Sequence, residues 1–346
     1  MSYEQLAAHA QEIQQLAVKY HLEERYSITE QDGKFYSPQD PGGTSYDSGQ
    51  SSVYTDGELA AKVQEAQAKF SPITDKFYDY LSLPDPANFD APITGVKGVL
   101  NKLSLSANTT QGFSDPISGT MYPGNVELKD MTTAAEYLDN WDGVAAMTFV
   151  SNFATPFETI TANQFNCAAV LANALEAEKA LWAEGRKNID TIAEQAISAL
   201  KHMHDCGKNE WETAFSVVAA VVAITAATVA TAGAAAPVAA TIGLAAVGAG
   251  VGVAQTHIGQ MEEAPKPQFS GESAEAVMNS VKEAIDKLKT YLHDAEQKII
   301  DAMTNAASTV SSQRSNFVAK RPTLAGPANG QPGKAEVGVP HTTDVN

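Results

Sequence analysis

The chain of 346 residues reads as an all-α protein: an elongated helical bundle with a W-x-G helical hairpin, a central apolar helical hairpin and a disordered C-terminal tail. Three observations predict this class. Long stretches place apolar residues at steps of three and four, the spacing that gathers them on one helical face. Helix starts are marked by Thr followed three residues later by Glu, at Thr55/Glu58 and Thr133/Glu136. Residues 213–261 contain no Asp, Glu, Lys or Arg, yet Gly233 and Pro237 divide them near the middle.

Taken in order, residues 3–24 form a first helix with Leu6, Ile13, Leu16, Ala17 and Tyr20 on one side. Residues 27–55 are rich in Pro, Gly, Ser and Asp and read as loop. The capping pair at Thr55 opens a helix that runs to about Leu81, where LSLPDP stops it. A shorter helix is expected over 92–104, then loop over 106–130 with room for a short hairpin. These segments group as N-terminal helices with long loops, 1–105, and a W-x-G hairpin region, 106–206. In the latter, TAAEYLDNW is helical, WDG breaks the helix, and VAAMTFVSNF resumes it.

Thr155, Pro156 and Glu158 signal another start, with proline at the first helical position. The helix from there to about Asp205 carries Ile160, Leu171, Leu175, Trp182, Ile189, Ile192, Ala196, Leu200 and Met203 at helical steps, with charges on its other faces. The apolar hairpin occupies 210–260. A last amphipathic helix lies in 270–317, its stripe being Val277, Val281, Ile285, Leu288, Leu292, Ile299 and Met303, with one doubled gap. That spacing suits packing on another long helix. Residues 318–346 are rich in Pro and Gly and poor in large apolar side chains, the composition of a disordered tail.

Each half of the charge-free segment has about the 20 residues that a membrane span needs. Glycine closing one helix and proline opening the next is ordinary helix punctuation, so the tip falls at AGAAAP. Ala and Thr dominate, which makes the span marginal, and the same stretch can form the interior of a soluble bundle. Gly243, Gly248, Gly250 and Gly252 favour the membrane, because small residues let helices approach closely there. Gly233, Pro237 and these four glycines are the expected membrane-contact residues.

Composition excludes other classes. The net charge of −18 opposes nucleic acid, which needs a basic footprint, and opposes long-range attraction to anionic lipid. MSYEQLAAHAQEIQQL is an amphipathic helix with acids, unlike a classical signal peptide. Cys167 and Cys206 are read as free thiols. HMHDC, residues 202–206, is one cluster of metal-ligand types where a structural zinc site wants four ligands, so it is read as a helix C-terminus and not as a metal site. GAGVG at 248–252 follows no strand and is not a dinucleotide loop. Glu176, Glu178 and Glu184 read as solvated helix positions. No catalytic residue, cofactor or small-molecule substrate is expected.

Trp141 and Gly143 are the expected hairpin motif. Gly143 can take a positive φ or allow close backbone contact, and Trp141 covers the open end of the turn. WDGVAAMTF, followed by NQFNCAAVLANALEAEKALW, resembles the WXG-motif family of type VII secretion substrates, in particular its larger actinomycete-type members with an Ala/Gly-rich apolar region. The resemblance covers residues 131–205. It implies a secreted or envelope-associated helical protein that pairs through its hairpin. The family's export signal, Tyr followed four residues later by an acid, lies after its hairpin. Here Tyr20/Glu24, Tyr26/Glu30, Tyr36/Asp40 and Tyr54/Glu58 all precede it, which implies a signal supplied by a partner.

The expected function is therefore a type VII-secreted, non-catalytic protein at a cell envelope or target membrane, oligomerising with itself or another chain through its helices. The alternatives are an α-helical pore-forming toxin exported by another route and a soluble helical scaffold.

Overall fold

A computed structural model of the chain describes residues 3–39, 52–105, 112–132, 143–203, 211–212, 227–229, 240–242, 268–269 and 273–320. The class is all-α, as the sequence predicts. The main helices are α1 (Leu6–Tyr26), α2 (Asp56–Tyr78), α3 (Asp90–Leu103), α4 (Val126–Thr132), α5 (Val144–Phe149), α6 (Phe157–Lys201) and α7 (Ala274–Ser312). Three two-stranded antiparallel pairs accompany them: β1 (Thr29–Gln31) with β2 (Lys34–Tyr36), β3 (Trp211–Glu212) with β6 (Gln268–Phe269), and β4 (Ala227–Val229) with β5 (Ala240–Ile242). The chain divides into two compact units: residues 1–85, 180–218 and 260–295 in the first, and 86–179, 219–259 and 296–346 in the second.

The first unit is a four-helix arrangement. His21 of α1 meets Phe70 of α2, while Tyr26, further along α1, meets Tyr54 just before α2, so these helices run antiparallel. The end of α6 runs parallel to α1, since Tyr3, His9 and Glu12 meet Arg186, Asp190 and Lys201 in turn. The start of α7 runs parallel to α2, since Lys69 pairs with Glu275 at 2.5 Å and Lys76 pairs with Asp286. The bundle thus combines an antiparallel α1–α2 pair with parallel α1–α6 and α2–α7 contacts around one apolar interior. That interior holds Leu6, Ile13, Leu22, Phe70, Phe77, Leu181, Ile189, Ile192, Val281 and Leu288. At Gly185 the helices come close: a Cβ there would lie 3.2 Å from a methyl of Leu292.

Local rules explain the boundaries. Thr55 caps α2 with both halves of the capping box: its hydroxyl accepts from the Glu58 N–H at 3.3 Å, and its own N–H donates to the Glu58 carboxylate at 3.0 Å. Ser27 ends α1 at φ 54°, its N–H donating to the Glu23 carbonyl. The expected loop over 27–55 departs from the structure at its start, where TEQ-DG-KFY forms the β1–β2 hairpin. Asp32 and Gly33 both have positive φ, as the two-residue turn demands, so Asp-Gly was the available signal. Lys62 lies 3.8 Å from the Tyr26 ring and 4.9 Å from the Tyr54 ring, tying the start of α2 to the end of α1.

In the second unit α3 lies antiparallel on the start of α6, with Lys97 on Glu176 at 2.7 Å and Asp90 on Lys179. Leu100, Tyr122, Phe165, Ala169 and Ala172 form a core cluster, and the Phe113 and Tyr122 rings meet Phe165 edge-on. The expected hairpin within 106–130 is present as a tight turn with Ser114 bridged to Met121. After α7 a short 3-10 turn, Arg314–Asn316, brings Phe317 into the interior, where the Asn163 and Gln164 amides donate to the carbonyls of Asn316 and Phe317.

Two stripes need correction. Leu171, expected on the buried face of α6, is 38% exposed, and Phe165, Ala169, Ala172 and Leu181 take the inner positions instead. The buried face follows small alanines there, which a search for large residues passes over. Leu16 and Tyr20 are only half-buried in α1, and the histidines His9 and His21 are buried in that face. The doubled gap in α7 is filled by buried Ala295. The expected helix over 133–141 and the tail from 321 lie outside the described residues.

Ile192→Ala is expected to cost about 2–5 kcal/mol of stability, whereas Leu171→Ala costs about 0.5 kcal/mol or less. Urea denaturation of the two variants checks this, and equal losses would overturn the assignment of the α6 face.

Candidate functional site

The W-x-G segment is described from Gly143 onward; Trp141 lies outside the described residues. Gly143 has φ 103°, a conformation that side-chain-bearing residues rarely adopt. Its carbonyl accepts from the Met147 N–H at 3.1 Å, which starts α5. Among the described residues beyond its chain neighbours, no heavy atom lies within 4 Å of where a Cβ would stand, and the backbone angle itself calls for glycine. Beyond α5 the helix widens: the Thr155 N–H donates to the Val150 carbonyl five residues back, and Val150–Ala154 form a π-turn. A π-turn inserts one residue into the helical register and is frequent at functional sites. Phe149, Phe153 and Phe157 line up along this stretch, ring centroids 5.2 and 5.8 Å apart. Val144 and Met147 beside them are each 72% exposed. The sequence carried the aromatic spacing but no signal for the π-turn.

One strand pair of the first unit flanks the charge-free segment in sequence. Trp211 pairs with Phe269 and Glu212 with Gln268. Inside the segment the described residues pair as Ala227 with Ile242, Thr228 with Thr241 and Val229 with Ala240. The expected tip at AGAAAP lies outside the described residues. At the six paired positions the structure is strand and the expected helix is corrected. Thr228, Val229, Thr241 and Ile242 are β-branched, and their stiff side chains suit a strand better than a helix. Gly233, Pro237, Gly243, Gly248, Gly250 and Gly252 lie outside the described residues. Among the described residues, no helix is long and apolar enough to cross a membrane.

After the segment in sequence, the start of α7 is anchored. The Ser273 hydroxyl accepts from the Ala276 N–H at 3.2 Å, and its carbonyl from Val277. The Ala274 N–H donates to the Glu24 carboxylate of α1 at 3.2 Å. Glu275 reaches Lys69 of α2. His21 is buried beside them, its ring 5.4 Å from Phe70. Burial pushes the His21 imidazole below its ordinary value, and Lys69 adds to the effect. Further along, His9 and Asp190 form a buried pair at 3.4 Å. Burial pushes the Asp190 carboxyl up, Glu194 pushes the same way, and His9 pulls it back.

This geometry gives structural roles to acids whose Tyr spacing resembled an export signal. Glu24 caps α7, Glu30 accepts from Gly33 at 2.6 Å and pairs with Lys19, and Glu58 completes the capping box. Asp40 lies outside the described residues.

A second polar cluster was not foreseen. The buried Asp115 carboxylate accepts from the Ile117 and Ser118 N–H groups, the Ser118 hydroxyl and the Asn173 amide, at 2.7–3.2 Å. Four donors satisfy it, so it fixes the 114–121 turn on α6 and is not available as an acid or base. Glu176 and Glu184, expected to be solvated, are half-exposed and pair with Lys97 and Lys187. The His202 ring lies 2.9 Å from the Ser198 carbonyl, the helix-end contact expected of HMHDC; His204 and Cys206 lie outside the described residues. Burial raises the Cys167 thiol, which weakens it as a nucleophile.

Asp115→Ala is expected to destabilise the second unit by about 3 kcal/mol, because the Asn173 amide and two backbone donors lose a charged acceptor. Asn173→Ala removes one donor and costs about 1 kcal/mol. Urea unfolding followed by hydrogen exchange in α3 and α6 reads both, and a neutral Asp115→Ala would refute the anchoring role. No protein-family model matches the chain, and no curated protein or solved structure matches it either.

Proposed function

We propose that this is a non-catalytic helical protein, exported by a type VII route, that acts at the cell envelope or at a target membrane through the segment of residues 213–261. One contrast carries the reading. A chain with a net charge of −18 contains a long segment without a charged residue, while the helices on either side of it are amphipathic. Water is a poor solvent for such a segment, and lipid or a protein interior is a good one. The net negative charge repels anionic lipid, so burial of apolar surface drives the contact. The strand pair β3–β6 joins residues 211–212 to 268–269, on either side of the segment in sequence, which suits an element that acts as one piece. The W-x-G resemblance, with Gly143 in the left-handed region at a helix start, supports the export class. Val144 and Met147 supply surface for pairing with a second copy or a partner chain.

A second reading, a soluble scaffold with the segment as its core, is favoured by the strand pair β4–β5. A helical hairpin crossing lipid satisfies its backbone within each helix and has no use for an isolated strand pair.

Fractionation of producing cells decides between them. Protein in the medium, together with leakage of neutral phosphatidylcholine vesicles by the purified chain, is the expected result. Protein confined to the cytosol that ignores vesicles would establish the scaffold. Release that persists without type VII machinery would point to a toxin exported by another route. Val144→Ser with Met147→Ser is expected to leave stability within about 0.5 kcal/mol of the natural chain while weakening self-association in sedimentation. A natural chain that stays monomeric would remove pairing of copies from the proposal.

A further inference from the structure

Three groups of contacts converge at the start of α7, the helix that follows the charge-free segment in sequence. Glu24 of α1 accepts from the Ala274 N–H, the first residue of α7. Lys69 of α2 pairs with Glu275, the second residue of α7, at 2.5 Å. His21 of α1 is buried between these contacts, set edge-on against Phe70 at 5.4 Å and Tyr26 at 6.4 Å. The charged groups around it are Arg25 on its own helix, Lys69 and Glu65 on α2, and Glu275 on α7. A neutral imidazole fits this place as an aromatic disc. A protonated one is a buried cation against two rings, and it competes with Lys69 for Glu275.

We propose that His21 is an acid-sensitive lock: at neutral pH it holds the end of α1 on α2 and on the first turn of α7, and on taking up a proton it loosens the start of α7, the helix that follows the charge-free segment in sequence. The proposal rests on the reading of that segment as the membrane element.

The sign follows from the surroundings. Burial, the largest effect, and Lys69 and Arg25 disfavour the imidazolium, while Glu275 and Glu65 oppose them with smaller effect. The unfolded chain takes the proton at the ordinary value, 6.5, and the folded chain only at lower pH. Stability contributed by neutral His21 is therefore complete above about pH 6.5 and is lost as pH falls toward the depressed folded value. Asp190 works in the opposite sense: its raised carboxyl gains a proton more readily when folded, which favours the fold as pH falls. The lock is thus local to the Glu24–Lys69–Glu275 end of the bundle, and its release is read there.

The experiment uses the full chain. Hydrogen exchange of the Ala274–Val277 amides, corrected for intrinsic rates, is compared at pH 7.5 and 5.5 for the natural protein and for His21→Leu. Protection in the natural protein is expected to fall several-fold at pH 5.5 and to stay level in His21→Leu. Its melting temperature is expected to drop by at least about 2 °C more than the variant's over the same interval. Equal pH dependence in the two proteins overturns the lock. If His21→Leu fails to fold, NMR titration of the natural His21 ring replaces it: a midpoint below 6.5 supports the lock, and one at or above 6.5 overturns it. Lys69→Met, which removes a neighbouring cation, is expected to raise that midpoint. Leakage of neutral phosphatidylcholine vesicles is scored separately. No leakage at any pH, with the exchange response intact, sinks the membrane reading and keeps the lock. Leakage with no exchange response keeps the membrane reading and sinks the lock.

Discussion

The first unit depends on one shared interior, to which four helices from three separate stretches of chain contribute. Leu6, Ile13 and Leu22 come from α1, Phe70 and Phe77 from α2, Ile189 and Ile192 from α6, and Val281 and Leu288 from α7. Burying side chains of this size stabilises by roughly 1.5–3 kcal/mol each, against roughly 0–1 kcal/mol for an exposed ion pair. The pairs that decorate the seams, Lys69–Glu275, Lys76–Asp286 and Lys201–Glu12, are all partly exposed. They set which faces meet; the interior supplies most of the stability. The contacts at the end of α1 exist only because that interior brings α1, α2 and α7 together.

Helix ends and polar side chains fix the remaining positions. A capping box starts α2, a serine starts α7, and a glycine at positive φ starts α5. In the second unit, Asp115 and Ser104 act as local organisers: the first gathers four donors, and the second donates to the Tyr122 carbonyl and accepts from the Phe113 N–H. Buried polar groups with complete hydrogen bonding make a fold specific because any alternative arrangement leaves them unsatisfied. The exposed apolar residues beside the Phe149–Phe153–Phe157 row lie on a different footing. Val144 and Met147 are exposed there, and the proposed pairing with a second copy or partner rests on them.

Much of this was legible in the sequence. Apolar steps of three and four located α1, α6 and α7 to within a few residues, because an amphipathic helix writes its period directly into the chain. Thr55 and Glu58 marked their helix start because a cap involves residues only three apart. Gly143 was identified as a residue able to take positive φ, and it does. The Asp32-Gly33 turn was equally local and was there to be read.

What the sequence could not determine were features set by residues far apart in the chain. The burial of His21 beside Phe70, Lys69 and Glu275 joins positions that only the bundle brings together, and no periodicity distinguishes a buried histidine from a solvated one. Leu171 faces outward and Ala169 inward because the partner of α6, and not hydrophobicity alone, chooses the face. In the charge-free segment Ala favours helix and the β-branched Thr, Val and Ile favour strand, so local preference is divided and the pairing of Ala227–Val229 with Ala240–Ile242 is decided by hydrogen bonding between strands. Local chemistry fixed where the elements lie; long-range packing fixed which side chains they bury.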